Sequence, residues 1–295
     1  MTRDILCIGS VLWDVIGRSA SHMAPGADVP GRIVRQPGGV ALNIARALRH
    51  AGLRPVLLSA VGRDAEGDTL IAACAAMELD TAHIYRSDDL PTDRYMAIEA
   101  PSGLIAAVAD AHSLEAAGDK ILTPLRDGRL ATAQAPWTGP VALDGNLTEA
   151  LLDEIATGAI LRAADLRVAP ASPGKAERLL PFLTHGGAVL YLNLQEAGLL
   201  CQTAFETSSI AAQALLARGA QRVLITDGAN PACDATPSGV IEGQPPRVMV
   251  TRVTGAGDTF MAAHIAAERS GADRETALTH ALRAAAQHVS GDTRL

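Results

Sequence analysis

The chain has 295 residues, enough for one large α/β domain or two ordinary ones, and is 48% hydrophobic but only 3% aromatic. That composition excludes intrinsic disorder and requires a core built from Ala, Val, Leu and Ile. The formal net charge of -7 argues against non-specific nucleic-acid binding and docking on anionic lipid, though a local phosphate pocket stays open.

The chain runs from Met1-Thr2-Arg3-Asp4 straight into an apolar strand, Ile5–Val11. No cleavable signal and no bilayer-spanning apolar run is visible, so a cytoplasmic protein is expected. Cys7, Cys74, Cys201 and Cys233 are far apart and show no Cys-x-x-Cys spacing. Reduced thiols are expected rather than a zinc site or a disulfide framework. Further strands are predicted at Val56–Val61, Val141–Asn146, Arg167–Ala169, Val189–Leu194 and Arg222–Thr226. Helices are predicted at Val40–Ala51, Gly67–Met77, Glu149–Ile160 and Ile210–Ala217. Strands that are apolar throughout, alternating with helices, predict a doubly wound, mostly parallel sheet covered on both faces.

Two segments break that rhythm. Arg94–Ala100 and Leu104–Ala109 flank the turn Pro101-Ser102-Gly103 and read as a hairpin. Arg18–Gln36 is irregular, with Pro25, Gly26, Pro30 and Gly31. We expect a single domain spanning 1–295, with a small β-lid formed by segments about 15–37 and 92–110. A decorated sheet edge is the alternative.

The most informative stretch is Val248–Thr254 followed by Gly255-Ala256-Gly257-Asp258. A strand is expected to end there, glycines to turn the chain, and an Ala-rich helix to begin near Asp258. Amides of that first turn, aided by the helix dipole, form an anion hole for phosphate oxygens. The same dipoles are expected to keep Asp258 ionised, so that it can take a proton from a hydroxyl attacking phosphorus. Ordinary helix capping is the competing reading. No Gly-Lys-Ser/Thr follows, so this is not a Walker A loop. At the other end of the chain, Gln36-Pro37-Gly38-Gly39 opens the helix carrying Asn43, and Asp14 follows the first strand. Asp14 can accept two sugar hydroxyls, or serve only as a loop acid or cap.

These residues together resemble the PfkB-type, ribokinase-like kinases. The N-terminal signature is matched by Gly38, Gly39 and Asn43, and the C-terminal one by Thr254–Asp258. A central Asn-x-x-Glu is matched by Asn193–Glu196, and a later Thr-x-Gly by Thr226-Asp227-Gly228. The resemblance implies a three-layer αβα sandwich with a β-sheet lid and an ATP-dependent transfer to an alcohol. It implies Asp258 as base, with the amides of Gly255, Ala256 and Gly257 holding charge on the phosphoryl group. Asp14, Gly38, Gly39 and Asn43 would grip the substrate. Asn193 and Glu196 would organise Mg²⁺, and Thr226, Gly228 and Thr254 would lie along ATP, with the C-terminal helices near 284–290 beside the adenine. It leaves room for a monovalent cation and points to a homodimer joined through the lid.

Within the family the chain is most similar to pseudouridine kinases. The similarity lies in Pro30-Gly31-Arg32, Leu58–Asp64, Ala107–Asp110 and Asp144-Gly145-Asn146. It implies that Asp110 meets N–H donors of a uracil face and that Asn146 contacts substrate. Three departures stand out: Leu42 where those kinases carry Arg, Tyr191-Leu192 for Lys-Pro, and Ala229-Asn230-Pro231 for a glycine-rich turn. The alternatives are ribokinase or another sugar or nucleoside kinase and, from another class, a non-catalytic nucleoside- or sugar-binding protein.

Overall fold

The computed structural model describes residues 4–24, 26, 28–101 and 103–291. Met1, Thr2, Arg3, Pro25 and Ser102, on which the reading of the N-terminus and of two lid turns drew, lie outside the described residues.

The expected first strand is two strands. β1 (Asp4–Ile8) ends at Gly9-Ser10, and β2 (Leu12–Arg18) leaves for the lid. There follow β3 (Arg32–Gly38), α1 (Val40–His50), β4 (Arg54–Leu58), β5 (Ala60–Gly62), α2 (Ala65–Ala76) and β6 (Tyr85–Ser87). The predicted hairpin is β7 (Arg94–Ala100) and β8 (Gly103–Asp110), followed by α3 (His112–Ala117). Next come β9 (Pro140–Asp144), α4 (Glu149–Thr157), β10 (Asp165–Ala169), β11 (Val189–Asn193), α5 (Leu194–Cys201) and α6 (Ser208–Ala217). The chain closes with β12 (Arg222–Asp227), β13 (Asn230–Thr236), β14 (Gly239–Gly243), α7 (Ala256–Arg269) and α8 (Arg274–Ser290). The antiparallel β13–β14 ribbon was not anticipated. Conversely, residues 244–253 carry no strand, so the expected strand before Gly255 is absent.

The main sheet has the order β14-β13-β12-β11-β10-β9-β1-β4, parallel from β4 to β12. Period-2 alternation divides each parallel strand between two cores. Leu6 and Ile8 pack under the layer containing α4, α5 and α6, while Ile5 and Cys7 pack under α1, α2, α7 and α8. The winding reverses around β1, which has β4 on one side and β9 on the other. A crevice outside the strand ends at such a reversal is where doubly wound folds bind ligands. The lid is a separate sheet in the order β3-β2-β7-β8. Among the described residues, no helix is long and apolar enough to cross a membrane.

One buried polar network fixes α7 to the sheet. Glu268 pairs with Arg167 and, at 2.7 Å, with Arg222. Tyr191 shares a 2.9 Å hydrogen bond with the fully buried His264. Burial pushes the His264 imidazole down to about 4, so it stays neutral beside the two arginines. Tyr191, one of the sequence's departures, is thus a structural anchor of the helix that carries Asp258.

Candidate active site

At the reversal point the chain brings together residues from four distant segments. Asp144, at the C-terminal end of β9, is wholly buried and accepts from the Ser10 N–H (2.8 Å), the Ser10 hydroxyl (3.1 Å), the Ala41 N–H (3.0 Å) and the Asn146 N–H (2.8 Å). The Ser10 hydroxyl in turn accepts from the Val40 N–H at 2.8 Å. Asp144 and Ser10 therefore cap α1, whose own preceding residue, Gly39, has no side chain to do so. Gly39 sits at φ 101°, and a Cβ there would overlap the Ser10 carbonyl. A Cβ on Gly38 would overlap the Asp14 carboxylate. The Gly-Gly pair is thus required by close packing of the α1 entry on β1 and β2.

Asp14 lies within β2 rather than beyond the end of β1, and it is 7% exposed. Burial pushes its carboxyl up to about 6, opposed by the charge of Arg46. Its register partner on β7 is Tyr95. Paired residues share a face of the sheet, so Asp14, Tyr95 and Ala109 share one face of the lid. Asp110 is paired with Arg94 and falls on the other face. It is exposed and holds the His112 ring at 2.7 Å. The structure therefore does not bring Asp110 beside Asp14.

On α1, the Asn43 amide donates to Asp258 Oδ2 at 2.9 Å. Asp258 is half-buried in the first turn of α7, which starts from Gly255 in the left-handed region at φ 85°. Burial raises the Asp258 carboxyl to about 7, the Asn43 hydrogen bond lowers it, and the nearby charges of Asp144 and Asp14 raise it further. This corrects the expectation that helix dipoles alone would keep it fully ionised: desolvation among carboxylates outweighs them. A group poised near neutrality is suited to accept a proton at working pH. Of the predicted anion-hole amides, Ala256 N–H is committed to the Val253 carbonyl at 3.1 Å. The Gly255 and Gly257 N–H groups have no partner among the described residues, and Gly257 faces open space. The loop is held from behind by α8. His288 Nε2 donates to the Thr254 carbonyl at 2.8 Å, and Arg252 donates to the His288 carbonyl at 2.7 Å.

The second cluster lies along the same edge of the sheet. Asn193 and Glu196 form a reciprocal capping box on α5: Asn193 Oδ1 accepts from the Glu196 N–H, and Glu196 Oε2 from the Asn193 N–H, both at 2.8 Å. Burial raises the Glu196 carboxyl to about 7. Its second oxygen has no protein donor among the described residues, and a carboxylate held this way fits a Mg²⁺ ion that keeps its waters and is otherwise bound by phosphates. No cluster of three or more metal-ligating side chains occurs among the described residues. Thr226 is the register partner of Asn193. Gly228, at φ 56°, turns β12 into β13, and Asn230 donates to Asp227 at 2.9 Å in that turn.

Sequence reasoning assigned no role to three participants. Ser10 and Asp144 form the cap just described. Lys175 donates to Asn146 Oδ1 at 2.7 Å, while the Asn146 amide donates to Ser10 at 2.9 Å. Asn146 is thus tied into the protein through both ends of its side chain. Burial lowers the Lys175 ammonium. A polar residue soon after each strand of a doubly wound sheet is the signal that could have found all three.

The family described as pfkB family carbohydrate kinase matches residues 2–292. A pseudouridine kinase of Arabidopsis thaliana is 29% identical over 118 residues, which is 40% of this chain and 29% of that protein. The bifunctional protein HldE of Hyphomonas neptunium (strain ATCC 15444) is 26% identical over 280 residues, 88% of this chain and 54% of HldE. The match thus spans only about a third to a half of these curated relatives. Among solved structures, Arabidopsis thaliana ribokinase complexed with ribose and ATP superposes with a TM-score of 0.77 at 20% identity, over 98% of this chain and 93% of that one. The fold is ribokinase-like.

Proposed function

Because this chain belongs to the pfkB carbohydrate kinase family, we propose that it is a cytoplasmic, single-domain ATP- and Mg²⁺-dependent kinase. In this reading it phosphorylates a hydroxymethyl group of a nucleoside or sugar, with pseudouridine the leading substrate. The observation that carries the proposal is Asp258 at the start of α7, hydrogen-bonded to Asn43 and flanked by the amides of Gly255 and Gly257, which have no partner among the described residues.

Asp258 takes the proton of the acceptor hydroxyl as its oxygen bonds to the γ-phosphorus and the bond to the β-phosphate oxygen breaks. The Gly255 and Gly257 amides receive the developing charge on the phosphoryl oxygens. Asp14 and Asn43, with the glycine pair Gly38-Gly39 closing on them, hold the acceptor's hydroxyls. Glu196 would hold Mg²⁺, which when bound would supply positive charge to offset that of the nucleotide phosphates. The Arabidopsis pseudouridine kinase match and the local segments similar to such kinases favour a nucleoside with a carbon-linked uracil. Tyr95, across from Asp14, offers an aromatic face for its ring. Ribose or another sugar is the second reading, favoured by the family's description as carbohydrate kinases. A binding protein that lacks turnover is disfavoured by the complete Thr254–Asp258 loop.

The lid's outer face carries Ile33, Met96, Ile98 and Val108, 40–78% exposed. Four large apolar side chains on one sheet face favour a homodimer joined through the lids. The substrate test is ADP release with ATP and Mg²⁺ against pseudouridine, uridine, adenosine, ribose and fructose. Turnover concentrated on pseudouridine supports the narrow reading. Turnover on another acceptor keeps the chemistry and removes the uracil. No turnover on any of them removes the kinase assignment for this panel.

A further inference from the structure

We propose that Arg46 is a further catalytic residue, a guanidinium on α1 that contacts the phosphoryl group in transit between nucleotide and acceptor. The inference rests on the kinase reading and on Asp258 as the base. Asn43 and Arg46 lie three residues apart and so share one face of α1. Arg46 Nη2 is 3.4 Å from Asn43 Oδ1, and the other end of that same amide donates to Asp258 at 2.9 Å. One side-chain amide therefore separates the guanidinium from the catalytic carboxylate. α1 packs directly on α7, which keeps the two side chains at the mouth of the same crevice.

The charge of Arg46 is uncommitted. Most arginines in the described part of the chain pair with a carboxylate, whereas Arg46 makes no ion pair there. It is half-buried, and it is the cation whose field opposes the raised pKa of both Asp14 and Asp258. Three carboxylates, Asp14, Asp144 and Asp258, converge on this crevice, a field that repels a polyphosphate. The anion hole itself supplies only backbone dipoles. A planar guanidinium with free N–H groups is the group suited to span two phosphoryl oxygens and to offset that field. Leu42, one turn earlier on α1, is buried in the core under that helix. The positive charge on this helix face therefore comes from Arg46.

The test measures kcat and KM of Arg46→Met and Arg46→Lys from pH 6 to 9, with saturating ATP and the best acceptor of the panel, beside Asp258→Asn. Thermal melting of each variant verifies folding. We expect Arg46→Met to lose about 10²-fold or more in kcat at every pH, as for removal of one transition-state donor. Acceptor KM should move by less than about threefold. Millimolar guanidinium should restore part of the rate, and Arg46→Lys should fall between. A loss that vanishes above pH 8.5 would mean that Arg46 only tunes Asp258, and would overturn the proposal. So would a rise confined to acceptor KM, or wild-type rates throughout. Should Arg46→Met not fold, Arg46→Lys with wild-type kcat that is insensitive to guanidinium overturns the proposal equally. Full activity in Asp258→Asn would sink the base assignment instead, while leaving the Arg46 result readable.

Discussion

Asn43 and Asp258 are 215 positions apart in the chain and are joined by a 2.9 Å hydrogen bond from amide to carboxylate. The donor stabilises the charged carboxylate and so opposes the burial that raises it. In Asn43→Ala that opposition is lost and the Asp258 pKa rises above about 7. Less of the base is then ionised at pH 7. We expect a larger loss of kcat at pH 7 than at pH 9, together with an upward shift of the acid limb, read from a pH–rate profile. A loss equal at all pH values would assign Asn43 to substrate contact alone.

Replacing the base itself should separate chemistry from binding. Asp258→Asn keeps the size of the side chain and removes the proton acceptor. A fall of about 10²–10⁴-fold in kcat is expected, with acceptor KM within a few-fold. Near wild-type turnover would remove Asp258 from the mechanism.

The same carboxyls make the ligand-free fold sensitive to pH. Asp258, Glu196 and Asp14 have folded-state pKa values raised to about 7, 7 and 6. The folded chain therefore holds more protons than the unfolded one between those values and the ordinary carboxylate range. Stability is fully present at low pH and declines as pH rises toward 7. The free protein should melt lower at pH 8 than at pH 5.5, and Asp258→Asn should narrow the gap. A gain of about 1 kcal/mol at pH 8 corresponds to roughly 2–4 °C. An unchanged difference would show that other groups dominate.

Asp144 carries several segments at once. Asp144→Ala removes the acceptor for four hydrogen bonds and leaves buried N–H groups of Ser10, Ala41 and Asn146 unpaired. Each orphaned donor costs about 1–3 kcal/mol. We expect a melting temperature at least several degrees lower and a large rise in acceptor KM, since α1 loses its cap. A wild-type melt would mean that water replaces the carboxylate in full.

Two charges on the lid's outer face should test the homodimer. Ile33 and Val108 are 78% and 67% exposed. Ile33→Asp with Val108→Asp should convert a dimer to a monomer by light scattering, while preserving the fold. A wild-type protein that is already monomeric would exclude the lid-mediated dimer.

Much of this arrangement was legible from residue order. The apolar strands announced a parallel sheet because strands buried on both faces tolerate few polar residues. The β7–β8 hairpin was visible because a turn ending in Gly103 separates two runs of apolar-rich residues. The glycines at 38, 39 and 255 marked places where backbone meets backbone or ligand. Less legible was the division of Ile5–Val11 between sheet and lid at Gly9-Ser10, because both halves are apolar and only the pairing partners differ. The β13–β14 ribbon was hidden by its buried Asp234, whose carboxylate is paired with Arg222 and Arg274. A charge in a strand reads as a loop until its partners, far away in sequence, are known.

The sequence alone thus determined the fold class and the chemical groups available, since backbone sterics and apolar periodicity act over a few residues at a time. The tertiary structure decided which groups meet. It put Asp110 on the far face of the lid from Asp14, through strand register, and it made Asp144 the cap of a helix that begins 104 residues earlier. It also set the Asp258 carboxyl near neutrality, because desolvation and neighbouring charge depend on what packs around a group.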